Sequence, residues 1–344
     1  MKKLRKLKRG DKIAVVSPSF CAPAIFPDVY ELGLTRLQNH FGLQVVEFPT
    51  TRRLDATVEE RAEDLIAAFE DKEIKAVIST IGGDVQVTYV KRLPKEPFIQ
   101  NPKPFFGYSD NSHFANFLWL CGIPSYYGGS IMTQYAMQSQ MDEYTITYLE
   151  YALFSGGKKE VCPSSMFNEV GLNWSDNNNL IKKREYHKNT SWIINGKSDA
   201  EGITWGGCLE SLDEMLRHNS EIPSLEQFKN IVLFTETSEE IPSADYVSRV
   251  YRAFGERGIL KNVQGILVGR AKAWEFDKPL DITEREEYRS NQYNSIINTV
   301  RKYNATIPII LNMDFGHTDP QCILPMGMPI MIESEKNKIT VDFG

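Results

Sequence analysis

The chain has few of the residues from which disulfide frameworks and metal sites are built. It contains five cysteines and five histidines among 344 residues. The cysteines are widely spaced, odd in number and form no Cys-x-x-Cys pair, which argues against a disulfide framework and against structural zinc. No two histidines stand four residues apart, so metalloprotease spacing is absent too. The sequence supports neither a metal mechanism nor a cofactor.

Excess positive charge and long apolar runs are also missing. The formal net charge is −6, and Lys and Arg are scattered apart from the leading segment Lys2–Arg9, which argues against a nucleic-acid polymer as partner. The apolar run Ile13–Val16 is too short for a signal peptide. No segment approaches the roughly 20 apolar residues that a membrane span requires. We expect a cytoplasmic protein without a membrane partner.

What the first 130 residues do contain is an alternation of short β-rich runs and amphipathic stretches. This pattern predicts an α/β fold in which helices cover a parallel sheet, and ligands bind beyond the carboxyl ends of such strands. The predicted strands are Ile13–Val16, Gln44–Phe48, Ala76–Thr80, Pro104–Phe106 and Ser125–Tyr127. The predicted helices are Val29–His40, Val58–Glu70, Val85–Arg92 and Ser112–Cys121.

The rest of the chain divides into a polar stretch and a second β/α section. Periodicity fades from Gly156 to about Ile203, which predicts a long loop, with tryptophans that could anchor it locally. The second section has predicted strands Ile231–Thr235, Gly265–Val268, Ile307–Leu311, Pro329–Glu333 and Ile339–Asp342, and predicted helices Leu209–Leu216, Ala244–Phe254 and Glu284–Tyr303. We therefore expect an N-terminal domain over 1–155, a loop and linker over 156–204, and a C-terminal domain over 205–344.

The turn around Ser109 has the pattern of an exposed nucleophile. A short apolar strand breaks at Gly107, and helical spacing resumes at Ser112. A hydroxyl at such a corner points away from the sheet toward a substrate. The N–H of Asp110 lies at a helix N-terminus, where unsatisfied donors and the helix dipole favour a developing negative charge. A nucleophile and an oxyanion donor can thus come from adjacent residues.

Two later residues could activate this serine. Serine needs a base within hydrogen-bond reach, and the base needs a third group to orient it. His317 follows directly on an apolar strand, next to Gly316. Glu236 ends the strand Ile231–Thr235 in the same way, so its carboxylate could receive the imidazole N–H. Ser, Glu, His is also the order in α/β-hydrolases, although geometry rather than order defines a triad.

Each of these residues also has a structural interpretation. Ser109 could simply cap a helix, and His317 could be a structural histidine. Glu236 could be a solvated charge at a strand end. The pair Gly82-Gly83 could permit a tight turn or cradle a phosphate, although the full Gly-x-Gly-x-x-Gly spacing of a dinucleotide site is absent.

Five motifs occur in the order found in the LD-carboxypeptidase family of serine peptidases, and the chain resembles that family over nearly its whole length. They are Ile81-Gly82-Gly83-Asp84, Gly107-Tyr108-Ser109-Asp110, Gly206-Gly207, Phe234-Thr235-Glu236 and Gly316-His317. The loop with Asn173-Trp174 and Ser191-Trp192, and the following Trp205-Gly206-Gly207, resembles the microcin-immunity (MccF-like) branch more than the short-looped peptidoglycan-recycling enzymes. The resemblance implies an N-terminal Rossmann-like domain and a smaller C-terminal α/β domain, with the active site at their interface.

The resemblance also implies a role for each candidate. Ser109 would be the nucleophile, His317 the general base and then acid, and Glu236 the orienting carboxylate. The oxyanion hole would use the backbone amides of Asp110 and Gly83, since a glycine lets an N–H approach the substrate without a side chain in the way.

Substrate contacts are implied in the same manner. An aromatic ring of the long loop would stack on a nucleobase, with Trp174 the first candidate and Trp192 the second, and Gly206 and Gly207 would also border the substrate. The chain departs from known patterns in two places. Asn111 replaces the second glycine of Gly-x-Ser-x-Gly, which disfavours an ordinary lipase or esterase. Cys208 stands where relatives of the immunity branch often carry Asn, which puts a substrate contact there in doubt.

The functional hypothesis is a metal-independent serine hydrolase that cleaves an amide through an acyl-enzyme. Its expected substrate is a peptidyl or aminoacyl nucleotide, and the alternative within the class is a small peptide, as for an LD-carboxypeptidase that trims muropeptides. Two further alternatives are a non-catalytic ligand-binding protein with the same cleft and a nucleotide-dependent oxidoreductase. The family resemblance also implies a homodimer.

Overall fold

The computed structural model describes all residues from Met1 to Gly344. Its sixteen strands, β1 to β16 in chain order, are Lys12–Val16, Gln44–Glu47, Ile74–Ser79, Phe105–Gly107, Ser125–Tyr127, Lys158–Val161, Met166–Phe167, His187–Lys188, Ile193–Asn195, Ala200–Cys208, Ile231–Glu236, Gly265–Gly269, Ile309–Met313, Leu324–Met326, Pro329–Glu333 and Lys338–Asp342. Its eleven α-helices, α1 to α11, are Ala22–Ile25, Pro27–Asn39, Val58–Glu70, Glu96–Gln100, Ser112–Leu120, Glu143–Glu150, Leu209–His218, Leu225–Phe228, Ala244–Glu256, Ile259–Asn262 and Ile282–Tyr303.

The N-terminal sheet has six strands in the order β14-β5-β4-β3-β1-β2. The five strands from the first part of the chain pair in parallel, and β14 adds an antiparallel edge next to β5. Helices connect the parallel strands, as parallel pairing requires. The α/β prediction is thereby confirmed, and the carboxyl ends of β3 and β4 meet at one edge of the sheet.

One predicted helix of this half is wrong. The segment Val85–Arg92 forms two short 3₁₀ turns, Gln86–Thr88 and Val90–Arg92. Buried Gln86 is held by partners that are distant in sequence: its N–H donates to the Asp110 carboxylate (3.1 Å) and its side-chain amide donates to Asn111 (2.8 Å). These tertiary bonds fix the segment against the turn that carries Ser109.

The C-terminal sheet has eight strands in the order β6-β16-β15-β10-β11-β12-β13-β9. Its centre, β10 to β13, is parallel, and the flanking strands on both sides are antiparallel. With eight strands against six, this sheet is the larger of the two. Glu236 is the last residue of the central strand β11, and His317 lies in the loop after β13.

The segment 156–204 is more regular than the predicted loop. Its strands β6 and β9 form the two edges of the C-terminal sheet, and β10 starts at Ala200, before the predicted boundary at 204/205. Buried Asp314 holds the segment in place, because its carboxylate accepts hydrogen bonds from the Ser164 hydroxyl (2.6 Å) and pairs with Arg270 (2.7 Å). The stretch between β7 and β8 has one 3₁₀ helix, Asn177–Ile181.

The two sheets share one hydrophobic core. A continuous cluster of buried side chains runs from Ile13 and Phe106 in the N-terminal sheet to Leu233 and Ile266 in the C-terminal sheet. The Trp119 indole N–H of α5 also donates to the Thr204 carbonyl of β10 (3.2 Å). The seam between the halves is therefore a packed interface. No helix has both the length and the apolar sequence needed to cross a membrane.

Candidate active site

Ser109 lies at a sharp turn between β4 and α5. Its φ angle is +65°, in the left-handed region that a residue with a side chain rarely adopts. A short 3₁₀ turn, Ser109–Asn111, then leads into α5. Strain of this kind is typical of a residue held in place for function, as in the strand-to-helix turn that exposes a nucleophile.

Asn111 explains how this turn forms without the second glycine of the Gly-x-Ser-x-Gly pattern. Its buried side-chain amide donates to the carbonyls of Ile81 (3.1 Å) and Tyr108 (3.0 Å) and accepts from Gln86 (2.8 Å). These bonds tie the turn to the segment after β3. Where the pattern has a flexible glycine, this chain therefore holds the turn with the side-chain hydrogen bonds of Asn111.

The structure brings Glu236 and His317 into direct contact. His317 Nδ1 donates to Glu236 Oε2 at 2.7 Å, and the Glu236 side chain is fully buried. Gly316 makes this approach possible, because a Cβ at that position would overlap the Glu236 carboxylate, and its φ of +94° also favours glycine. The carboxylate fixes the orientation and tautomer of the imidazole, as the third group of a triad does.

Tyr127, at the end of β5, links this pair to the serine turn. Its hydroxyl donates to Glu236 Oε1 at 2.5 Å and accepts the backbone N–H of Ser109 at 3.3 Å. The hydrogen bonds thus run from the serine backbone through the phenol to the carboxylate and on to the imidazole. Tyr127 was not predicted as a site residue, and its place on the strand next to β4 was the only signal that could have indicated it.

The second nitrogen of the imidazole contacts Glu239, a residue that was not predicted from the sequence. His317 Nε2 lies 3.1 Å from Glu239 Oε2, and the Glu239 side chain is 53% exposed. Burial acts to lower the pKa of His317, but Glu236 and Glu239 outweigh it and raise the pKa to about 10. Glu239 thus occupies the nitrogen that would have to accept the Ser109 proton, and no hydrogen bond joins His317 to Ser109 in this arrangement.

A cleft of about 470 Å³ opens at this point, between the two halves. The residues around it come from both sheets and from the 156–204 segment, and they include Gly82, Gly83, Ser109, Trp174, Glu239 and His317. Trp174 lies edge-on against Phe26 with 5.5 Å between ring centroids. Of the tryptophans predicted to contact substrate, Trp174 is the one that lines the cleft.

Of the two predicted oxyanion donors, Gly83 borders the cleft, and the Asp110 amide lies next to Gly82. A Cβ at Gly82 would lie 3.0 Å from Ser109 Oγ and 3.3 Å from the Asp110 amide nitrogen, so the glycine backbone approaches the serine closely. Gly83 has a φ of +150° and packs against Ser19. The Asp110 carboxylate accepts a hydrogen bond from the Ser19 hydroxyl at 2.6 Å.

Three predicted substrate contacts lie outside the cleft. Trp192 instead directs its indole N–H at Asp314 (3.4 Å) and so anchors its segment. Gly206 and Gly207 allow close packing, because a Cβ would overlap the Phe234 carbonyl at the first and the Ser112 hydroxyl at the second. The Cys208 thiol is buried against the Glu210 carboxylate (3.1 Å), away from the cleft.

A serine held in a left-handed turn beside a carboxylate-bound imidazole belongs to the chemistry of serine hydrolases. Comparison with known proteins narrows this class to one family. Residues 13–128 match the family model of the LD-carboxypeptidase N-terminal domain, and residues 201–332 match that of the LD-carboxypeptidase C-terminal domain. The chain therefore belongs to the LD-carboxypeptidase family of serine peptidases, Peptidase S66.

Individual relatives cover nearly the whole chain. A protein of Treponema pallidum (strain Nichols) with a provisional carboxypeptidase name is 29% identical over 99% of this chain and 95% of its own length. The microcin C7 self-immunity protein MccF of Escherichia coli is 25% identical over 96% of this chain and 93% of its own. The crystal structure of an MccF-like protein from Streptococcus pneumoniae in complex with AMP aligns with a TM-score of 0.85 at 25% identity, over 97% of this chain and 99% of that one.

The contact between Glu239 and His317 gives a testable prediction. In Glu239→Gln the imidazole loses one of its two carboxylates, so the pKa of His317 should fall by about 1 pH unit, the low end for an opposite charge because Glu239 is half exposed. A pH titration of the imidazole nitrogens by NMR measures this value. Glu240→Gln is the matched control, since Glu240 is exposed and makes no contact with His317. An unchanged pKa in Glu239→Gln would show that the Nε2 contact is not formed in solution.

Proposed function

We propose that this protein is a serine peptidase that cleaves peptidyl or aminoacyl nucleotides through an acyl-enzyme. The observation that carries the proposal is the strained turn at Ser109, which opens on a cleft where His317 is held by buried Glu236. The nucleotide part of the proposal rests on the aromatic side chains of that cleft and on the AMP complex of the MccF-like relative.

In the proposed reaction, Ser109 Oγ attacks the carbonyl carbon of the scissile amide while His317 Nε2 accepts the hydroxyl proton. The amides of Asp110 and Gly83 donate to the oxyanion of the tetrahedral intermediate. His317 then gives the proton to the leaving amine, and the acyl group stays on the serine. A water molecule, deprotonated by His317, hydrolyses this ester and restores the hydroxyl.

Before the first step, Glu239 has to leave His317 Nε2. Its side chain is long and half exposed, so a rotation about its own bonds is enough. Departure of this carboxylate also lowers the pKa of His317 and makes a neutral base available at lower pH. The rate of acylation is therefore expected to rise with pH through the pKa of His317, since only the neutral imidazole can accept the serine proton.

The nucleotide fits the aromatic mouth of the cleft. Besides Trp174 and Phe26, the cleft is bordered by Phe20 and Phe276, whose side chains are 45% and 57% exposed. Large apolar side chains exposed together are typical of a binding surface. Rings in such a position can stack on a nucleobase.

A second candidate is an LD-carboxypeptidase acting on muropeptides. It is favoured by the two family models and by the name of the Treponema relative. The positively charged side chains at the cleft favour neither candidate substrate, because each is already paired. Lys272 lies 2.6 Å from Glu275, and Arg184 lies 2.5 Å from Asp319. Association of two copies, expected from the family, stays a prediction.

The first experiment compares Ser109→Ala with the natural chain on two substrates, an aminoacyl nucleotide joined through an amide and a muramoyl tetrapeptide. We expect cleavage of the nucleotide, a loss of kcat of at least about 10⁴-fold in Ser109→Ala, and retained binding. Ser290→Ala, at an exposed position of α11, is the matched control and should keep full activity. Cleavage of the tetrapeptide alone would select the second candidate, and full turnover by Ser109→Ala would refute both.

The second experiment tests the role of Trp174. Stacking on a base contributes about 1–3 kcal/mol, so Trp174→Ala should raise KM for the aminoacyl nucleotide by about 5- to 150-fold. The same acyl group on an amine without an aromatic ring should show no such change. If Trp192→Ala raises KM and Trp174→Ala does not, the base lies elsewhere in the structure than proposed.

A further inference from the structure

Three potential metal ligands from the two halves of the molecule meet at a place outside the cleft. His113 lies in the first turn of α5, His218 is the last residue of α7, and Glu221 follows three residues later. One ligand atom from each lies within 4.8 Å of those of the other two. None of the three lines the cleft, and sequence spacing could not indicate the group because 105 positions separate the first residue from the second.

The two imidazoles have nitrogens without any hydrogen-bond partner. His113 is fully buried, and its Nδ1 is unpartnered, as is the buried Nε2 of His218. Buried polar atoms are nearly always satisfied, and an orphaned one in a polar environment indicates a bound water or ion. Imidazole nitrogens and a buried carboxylate are ligand types that a divalent transition metal prefers.

The second nitrogen of each imidazole is already held. His113 Nε2 lies 3.1 Å from the Glu214 carboxylate, and His218 Nδ1 lies 2.5 Å from the Ser220 hydroxyl. A carboxylate on the far nitrogen of a histidine is the usual support of a metal ligand, because it fixes the tautomer and leaves the other nitrogen free to bind. The Ser220 hydroxyl also donates to Glu221 (2.5 Å), so the last two ligands are positioned together.

The electrostatics of the group suit a cation. Because the Ser220 hydroxyl donates to Glu221, it accepts from His218 Nδ1, and the lone pair of that imidazole lies on the unpartnered Nε2. The Asp110 carboxylate lies 3.9 Å from His113 Nε2 and adds negative potential. Lys91 is the nearby positive charge that opposes it.

We propose that His113, His218 and Glu221 form a binding site for a divalent transition metal such as Zn²⁺, with water as the fourth ligand. Tetrahedral Zn²⁺ holds its ligands about 2.0–2.1 Å away, hence about 3.3 Å from one another. The site needs to contract by about 1.5 Å at most. Half-buried His218, at the end of its helix, gives solvent access for the ion.

The role of this metal is structural. Helix α5 begins just after the Ser109 turn, and α7 begins directly after Cys208, which pairs with Glu236 across the sheet. An ion at the site joins these two helices and so ties together the halves that carry Ser109 and Glu236. The proposal is independent of the function proposed above, because the ion takes no part in the reaction.

The test uses the full chain with the exposed thiol removed by Cys162→Ser, treated with EDTA and desalted. Zn²⁺ is then titrated by calorimetry, and thermal unfolding is followed with and without the ion. We expect one Zn²⁺ per chain and a higher unfolding midpoint with the ion, because a ligand that binds only the folded state stabilises it. Bound Co²⁺ should give the visible spectrum of a tetrahedral site.

His113→Gln should abolish Zn²⁺ binding, and since His113 is fully buried, two further variants keep the test decisive in case this one does not fold. His218→Gln and Glu221→Gln change a half-buried helix end and a loop, and each should weaken Zn²⁺ binding by at least about tenfold. His40→Gln, at an exposed position, is the matched control and should bind like the parent. Absence of binding by the parent would overturn the proposal. Equal binding by the parent and both variants would also overturn it, because the ion would then bind elsewhere on the protein.

Discussion

The geometry of the cleft depends on one buried carboxylate. Glu236 is 1% exposed, and a charge so placed is tolerated only if hydrogen bonds satisfy both of its oxygens. One oxygen is satisfied by Tyr127 from the N-terminal sheet and the other by His317 from the C-terminal part. Because Tyr127 also accepts the Ser109 N–H, the same carboxylate fixes the imidazole and, through the phenol, the turn that carries the hydroxyl. The two halves cannot separate here without leaving a buried charge unsatisfied.

The imidazole is held by carboxylates at both of its nitrogens, and the two contacts differ in kind. The contact with Glu236 is short and its carboxylate is buried, whereas the carboxylate of Glu239 belongs to a half-exposed side chain. Together they favour the protonated ring, whose pKa lies near 10. Since this pKa is above the ordinary value of about 6.5, the protonated ring stabilises the fold below pH 6.5. That contribution is lost as the pH rises through 10.

Much of this arrangement could be predicted from sequence, because Ser109, Glu236 and His317 each follow a short apolar strand. Glu236 and His317 follow strands of one sheet, whose carboxyl ends lie at the same edge, whereas Ser109 follows a strand of the other sheet and meets them at the seam between the halves. Tyr127 and Glu239 could not be predicted, since their contacts depend on how the two sheets approach each other. The family resemblance implied Gly206 and Gly207 at the substrate, but sequence does not distinguish a glycine that admits a ligand from one that admits close packing of a strand or a helix. The segment Val85–Arg92 forms 3₁₀ turns instead of the predicted helix, and the contacts that hold its buried Gln86 come from Asp110 and Asn111, which are distant in sequence.

Covalent labelling with a fluorophosphonate measures most directly whether Ser109 and His317 work together. The reagent reacts with a serine only where a base activates the hydroxyl, so the modified peptide, identified by mass spectrometry, reports the nucleophile itself. We expect a single adduct on Ser109 that forms in the natural chain, forms much more slowly in Glu236→Gln and is lost in His317→Ala. An adduct on another serine, or one on Ser109 that forms equally well without the imidazole, would contradict the proposed roles of Ser109 and His317.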